Sequence, residues 1–152
     1  MRQGGILSPF LFNVYMDELS TIFNQYSICC IVGGKLVNHL MYADDLVLIY
    51  PSSQGIQRLL DVCYEFGLAN DIRYNGEKSA TMCCKSKCMN DVKVPTFKLG
   101  SVPIENANKV KYLGHIITAD MTDDADIARQ NKSLYAQGNT LIRKFHMCTI
   151  DI

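Results

Sequence analysis

The sequence predicts an α+β chain in which an antiparallel sheet packs against helices. Three segments carry apolar residues at helical spacing. Between them lie short extended runs, two pairs of them joined by the tight turns Gly33-Gly34 and Gly100-Ser101. With 152 residues, 48% of them apolar, the chain can bury a sizeable core.

Ser8-Pro9 reads as a helix start, with Ser8 at the cap and Pro9 in the first turn. Phe12, Tyr15, Leu19, Ile22 and Tyr26 recur at helical spacing, so a helix is expected over 9–25. Ile28 to Val32 and Lys35 to Tyr42 are extended on either side of Gly33-Gly34, and Leu46 to Tyr50 is an apolar run of strand length. The second helix follows Pro51-Ser52-Ser53, its stripe being Ile56, Leu59, Leu60, Cys63 and Phe66, with Gly67 as its end. Asn75-Gly76 marks a turn, Ser79 to Cys84 a short strand, and 85–95 a polar loop. Hairpins are expected over 97–104 and 110–118. From Asp123 a third helix places Ile127, Leu134, Gly138, Leu141 and Phe145 on one face, with Arg129, Lys132 and Arg143 opposite.

Composition narrows the function. Fifteen basic residues balance fifteen acidic ones, at a pI near 6.8. Phosphate binding needs cations, so this balance weighs against a nucleic-acid partner. The basic stripe of the third helix weighs the other way, because charge placed on one face can follow a phosphate backbone. The bland alternative is a solvated helix face. Seven cysteines, an odd number, without an apolar leader after Met1, favour free thiols in a reducing compartment. No run approaches eighteen apolar residues, so no membrane span is expected. Cys84 and Cys88 supply one ligand pair without a second nearby, which argues against zinc.

Asp44-Asp45 is the most informative feature. Two adjacent acids interrupt the apolar stretch from Leu40 to Tyr50. Unpaired buried carboxylates are costly, and a divalent cation is a natural compensation. Neighbouring residues of a regular strand point to opposite faces, and a turn relaxes that alternation so that both acids can approach one ion. A solvent-facing turn rich in Asp for ordinary reasons remains the other reading.

Tyr42-Ala43-Asp44-Asp45 resembles the aspartate signature of reverse transcriptases. Arg2-Gln3-Gly4-Gly5-Ile6-Leu7-Ser8-Pro9 with Phe10-Leu11-Phe12-Asn13 is similar to the motif preceding it, in its non-LTR (LINE-type) form. Asn75-Gly76-Glu77-Lys78-Ser79 resembles the later lysine motif, and Tyr112-Leu113-Gly114-His115 the primer grip. All four occur in the family's order from Arg2 to His115.

The resemblance implies RNA-directed DNA synthesis with two Mg²⁺ ions, on an RNA template with a DNA primer and deoxynucleoside triphosphates. It implies that Asp44 is the principal metal ligand and Asp45 the weaker one. Gln3, Gly4 and Ala43 would line the nucleotide pocket, Lys78 would lie near the triphosphate, and Tyr112, Leu113 and Gly114 would support the primer. Arg129, Lys132 and Arg143 would meet the nucleic-acid backbone. It further implies that 1–118 is a partial palm, with an antiparallel palm sheet, and that 119–152 begins the thumb. The family's first metal aspartate, its fingers and the first palm strand lie upstream of the Gln3-Gly4 motif, in an upstream half that these residues do not include. The isolated chain is therefore expected to hold an incomplete two-metal site, with negligible polymerase activity and an exposed sheet edge. The abrupt start suggests a truncated gene. Part of a retroelement polymerase, a non-catalytic nucleic-acid-binding relic, and a remnant without a role are the three readings to separate. The compartment, nuclear or cytoplasmic, stays open.

Overall fold

A computed structural model describes residues 7–26, 30–84 and 94–146. The element order is helix α1 (Ser8–Asn24), strands β1 (Cys30–Val32), β2 (Lys35–Val37), β3 (His39–Tyr42) and β4 (Asp45–Leu48), helix α2 (Ser53–Ala69), then β5 (Ala80–Thr81), β6 (Lys98–Leu99), β7 (Val102–Pro103), β8 (Glu105–Asn106), β9 (Lys109–Tyr112), β10 (His115–Thr118) and helix α3 (Asp124–Phe145). The expected mixture of helices and antiparallel strands is present. The single sheet is not: among the described residues the strands form five separate two-stranded ribbons. The reason is local. In four of the five, strands of two to four residues close on their sequence neighbours through two-residue turns, and Asn38 divides the expected strand 35–42 into β2 and β3.

The chain divides into two compact units. The first comprises Met1–Ser79 with Val94–Glu105. Its core joins Met16, Leu19 and Phe23 of α1 to Leu59, Leu60, Cys63 and Phe66 of α2, and to Phe97, Leu99 and Ile104. Met16, Leu19 and Phe23 lie at i, i+3 and i+7, one apolar face of a helix. Leu19, Phe23 and Leu59 are completely enclosed. Each such side chain contributes about 1.5–3 kcal/mol by leaving water. The buried stripe of α1 is thus turned slightly from the expected one. Tyr15 is exposed and donates its hydroxyl to the Asn70 carbonyl, while Phe12, Ile22 and Tyr26 pack at the core margin.

Two helix ends differ from expectation. At α1 the cap position falls on Leu7, so Ser8 is the first helical residue. Gly67 does not stop α2, which continues to Ala69. Its role is close packing: a Cβ there would sit 2.7 Å from the Ile72 carbonyl oxygen and 2.9 Å from Cε2 of Tyr74. Ser52, in contrast, caps α2 as expected, accepting the Gly55 N–H at 3.2 Å.

The second unit comprises Ala80–Lys93 with Asn106–Ile152. In it Ala107 donates to the Thr81 carbonyl at 2.8 Å, and β9 pairs with β10 in the register Tyr112↔His115 to Lys109↔Thr118. Helix α3 is rooted on β10 through Asp126, which accepts from the Ile116 N–H, and buries none of its residues. Ile127, Leu134, Leu141 and Phe145, the apolar face read from the sequence, are all more than half exposed. No helix among the described residues is long and apolar enough to cross a membrane.

Candidate active site

The acid pair lies where two strands reverse. In the β3–β4 ribbon Tyr42 pairs with Asp45, which leaves Ala43-Asp44 as the whole turn. Ala43 has φ of +51°, and Asp44 has an ordinary negative φ. Positive φ at the first central residue alone is the pattern of a type II′ turn, whose twist matches that of paired strands. An alanine in that conformation costs about 1–2 kcal/mol. The surrounding ribbon therefore imposes the turn. Asp44 closes it and Asp45 opens β4, and both are exposed. Neither side chain forms a hydrogen bond or ion pair with another described residue.

What anchors the ribbon is at its base. Asn38 is 3% exposed, the sole buried polar residue among those described. Its side-chain amide donates to the Phe23 carbonyl at 2.6 Å, and its own carbonyl accepts the Ile49 N–H at 2.8 Å. Its side-chain oxygen lies 2.6 Å from His39 Nδ1, and His39 Nε2 lies 2.8 Å from Ser20 Oγ. The His39 ring also rests on Phe23, with centroids 5.0 Å apart. Burial pushes the His39 pKa below its usual value, favouring the neutral ring. The sequence signal for this cluster is Asn38-His39, a polar pair set between Val37 and Leu40, and sequence reasoning passed over it.

The other residues singled out are distributed as follows. Lys78 is exposed on a turn built by Asn75, whose carbonyl accepts from the N–H groups of Lys78 and Ser79 at 3.2 and 3.1 Å and from the Ser79 hydroxyl at 2.8 Å. The Asn75 side chain accepts the Lys78 N–H as well, at 3.2 Å. Gly76 lets the turn pass close to Val102, whose Cγ1 would lie 2.9 Å from a Cβ there. Gln3 and Gly4 lie outside the described residues, as does Cys88. Tyr112 ends β9, and Leu113 and Gly114 form its turn at φ of +46° and +83°. On α3, Lys132 and Arg143 are exposed, and Arg129 donates its Nε to Asp126 at 2.9 Å. Asp126 also binds His115 Nδ1 at 3.0 Å. These contacts, His115 first, hold the Asp126 carboxyl well below the usual carboxylate range. Sequence reasoning did not single out Asp126.

Whether the residues fit a metal is decided by donor chemistry. Asp44 and Asp45 offer adjacent hard oxygen donors that no cation among the described residues neutralises, which suits Mg²⁺ with substrate phosphates and water completing its shell. Among the described residues no group of three His, Cys, Asp or Glu side chains converges to hold an ion. Cys30, Cys63, Cys83 and Cys84 are free thiols.

Comparison with known proteins gives a consistent answer. Residues 1–117 match the family described as reverse transcriptase (RNA-dependent DNA polymerase). The retrovirus-related Pol polyprotein from type-2 retrotransposable element R2DM of Drosophila melanogaster is 34% identical over 126 residues, covering 78% of this chain and 12% of that protein. A Pol polyprotein from type-1 retrotransposable element R2 of Popillia japonica is 27% identical over 122 residues, covering 76% of this chain and 17% of its own length. The chain therefore spans less than a fifth of these two relatives.

Proposed function

The chain belongs to the reverse transcriptase family, among those of non-LTR retrotransposons, and on that premise we propose that it supplies the acid-bearing part of the palm of an RNA-directed DNA polymerase. The observation that carries this reading is the placement of Asp44 in the two-residue turn between β3 and β4 and of Asp45 at the start of β4, both exposed, with carboxylates that pair with no other described residue. In the proposal 1–118 is palm and 119–152 begins the thumb. Asp44 is the principal Mg²⁺ ligand and Asp45 the weaker one. Two bound metals would lower the charge barrier to attack by a primer 3′ hydroxyl and to departure of pyrophosphate.

The chain's own residues then have distinct tasks. Ala43 brings backbone close to the nucleotide sugar, and Gln3 and Gly4 line its pocket. Lys78, presented by the Asn75 turn, offers counter-charge to a triphosphate or a proton to the leaving pyrophosphate. Tyr112, Leu113 and Gly114 support the primer, and Arg129, Lys132 and Arg143 contact backbone phosphates. Partners are an RNA template, a DNA primer, deoxynucleoside triphosphates and the further residues of a longer polymerase.

The 152-residue chain alone is proposed to bind nucleic acid without polymerising, because its described residues gather only two carboxylates and no third ligand. Primer extension with Mg²⁺ tests this directly. Template-dependent incorporation by the purified chain would show that two carboxylates suffice. Incorporation that appears only when the chain is part of a longer polymerase, and disappears on Asp44→Asn, is the expected result.

A further inference from the structure

We infer that Asn38, His39 and Ser20 form a clasp that positions the acid-bearing turn, by fixing the base of the β3–β4 ribbon to helix α1. The inference takes its functional meaning from the metal reading of Asp44 and Asp45.

The clasp is directional. Asn38 uses its amide nitrogen on the Phe23 carbonyl, which leaves its oxygen for His39. Only a protonated Nδ1 can donate to that oxygen. His39 Nε2 then carries the lone pair and accepts the Ser20 hydroxyl. Each member thus dictates the donor or acceptor role of the next, from the last turn of α1 through the first residue of β3 and back to α1. Reversing one member leaves a buried group without a partner. The backbone joins in, because the Asn38 carbonyl also receives Ile49, just beyond β4, so one residue holds both strands of the ribbon.

The position of the clasp decides what it controls. His39 is the first residue of β3, paired with Leu48 at the open end of a four-residue ladder whose other end is Tyr42↔Asp45. A one-residue slip in such a ladder exchanges its two faces. The ladder itself is short, and an isolated two-stranded ribbon is marginal in water. One face of the ribbon, Met41, Leu46 and Leu48, packs at the margin of the core, while Leu40 and Tyr42 on the other face are exposed. The packed face opposes a slip, and the buried polar anchor at the base adds a directional constraint on register and so on the direction of Asp44 and Asp45. These three are positioning residues. They stand three or more residues from the acids and act on them through the ribbon.

The test uses the whole chain and two readouts in one nuclear magnetic resonance sample. Amide exchange compares the β3–β4 ribbon with α2, and line broadening of the Asp44 and Asp45 amides by added Mn²⁺ reports metal capture. Asn38→Leu, of similar volume but without polar atoms, and the gentler Ser20→Ala are the variants, with Ser20→Thr restoring the hydroxyl. The expected result is ribbon exchange accelerated at least about fivefold relative to α2, the factor for loss of one buried hydrogen bond. Weaker Mn²⁺ broadening should accompany it, and both should return toward wild type in Ser20→Thr. Ribbon and α2 accelerating by the same factor, or Mn²⁺ broadening unchanged in Ser20→Ala, overturns the clasp. Absence of Mn²⁺ broadening in the wild-type chain overturns instead the metal reading of Asp44 and Asp45, and the functional role of the clasp with it.

Discussion

The Asp126 carboxylate, in the first turn of α3, accepts the backbone N–H of Ile116 on β10 at 2.9 Å. The same oxygen accepts Arg129 Nε, and the other receives His115 Nδ1. One side chain thus satisfies a strand, a histidine and its own helix, and its negative charge also favours the helix N-terminus. Because these contacts lower its pKa from 3.8, the unfolded chain binds the proton more readily than the folded one. The stabilisation is present above pH 3.8 and is lost as the pH falls below it. Asp126→Ala should lower the melting temperature at neutral pH, and the gap to wild type should close in thermal melts at progressively more acid pH. A gap that stays constant into strong acid would mean that the carboxylate charge is irrelevant.

Gly67 and Tyr74 make a second pair of expectations. Alanine in mid-helix ordinarily gains about 1 kcal/mol over glycine. At Gly67 the added Cβ would meet the Ile72 carbonyl oxygen at 2.7 Å, and Ile72 is held in place by its own N–H on the Gly67 carbonyl. Gly67→Ala should therefore destabilise, since overpacking costs about 1–3 kcal/mol. The Tyr74 hydroxyl, enclosed without a hydrogen-bond partner among the described residues, is a liability of the same site. Tyr74→Phe should raise stability by about 1 kcal/mol, since the unsatisfied group is removed and the ring is kept. Urea unfolding of both variants checks the two signs.

Alkaline pH should loosen the first unit. Burial pushes the Cys63 thiol from 9.0 up to about 12, and burial together with the neighbouring Cys63 raises the Tyr74 hydroxyl as well. Folding keeps both protonated, so the folded chain binds more protons than the unfolded one above pH 9. Stability is complete below pH 9 and declines as the pH rises from there towards 12. Urea midpoints measured across that range should fall, and Cys63→Ala, whatever its packing cost, should flatten the decline. A midpoint independent of pH in wild type would show that neither group is enclosed.

How far the sequence could be read depends on the range of the interaction. The stripe Ile56, Leu59, Leu60, Cys63 and Phe66 was legible because helical periodicity repeats the same signal several times; the last four are buried and Ile56 packs at the core margin. The acid turn was legible because its two flanking apolar runs are adjacent in the chain. Gly67 misled because glycine signals a helix end by its own conformational freedom, whereas here it answers to Ile72 and Tyr74 across a packed turn. The anchors Asn38 and Asp126 were missed for the same reason. Their partners Phe23 and Ile116 lie fifteen and ten residues away, and no periodic pattern reports a single polar contact at that distance. The separation of the strands into ribbons was illegible because local pattern identifies a strand and its turn but not which ribbon lies beside it.

The acid turn itself separates stability from function. Ala43 holds φ of +51°, a conformation that β-branched side chains resist. Ala43→Val should therefore destabilise by about 1–2 kcal/mol and loosen the ribbon. Ala43→Gly should be close to neutral, because relief of the positive φ is offset by the greater freedom of an unfolded glycine. Asp44→Asn removes a charge that touches no other described residue, so its effect on stability should stay within about 0.5 kcal/mol, as for ordinary surface substitutions. Yet it takes away the proposed principal oxygen donor, and Mn²⁺ broadening of the neighbouring amides should vanish. Chemical denaturation and Mn²⁺ titration of the same three variants separate the cases: Ala43→Val should lose stability and metal capture together, and Asp44→Asn should lose metal capture alone. A large loss of stability in Asp44→Asn would mean that the aspartate serves the turn rather than an ion.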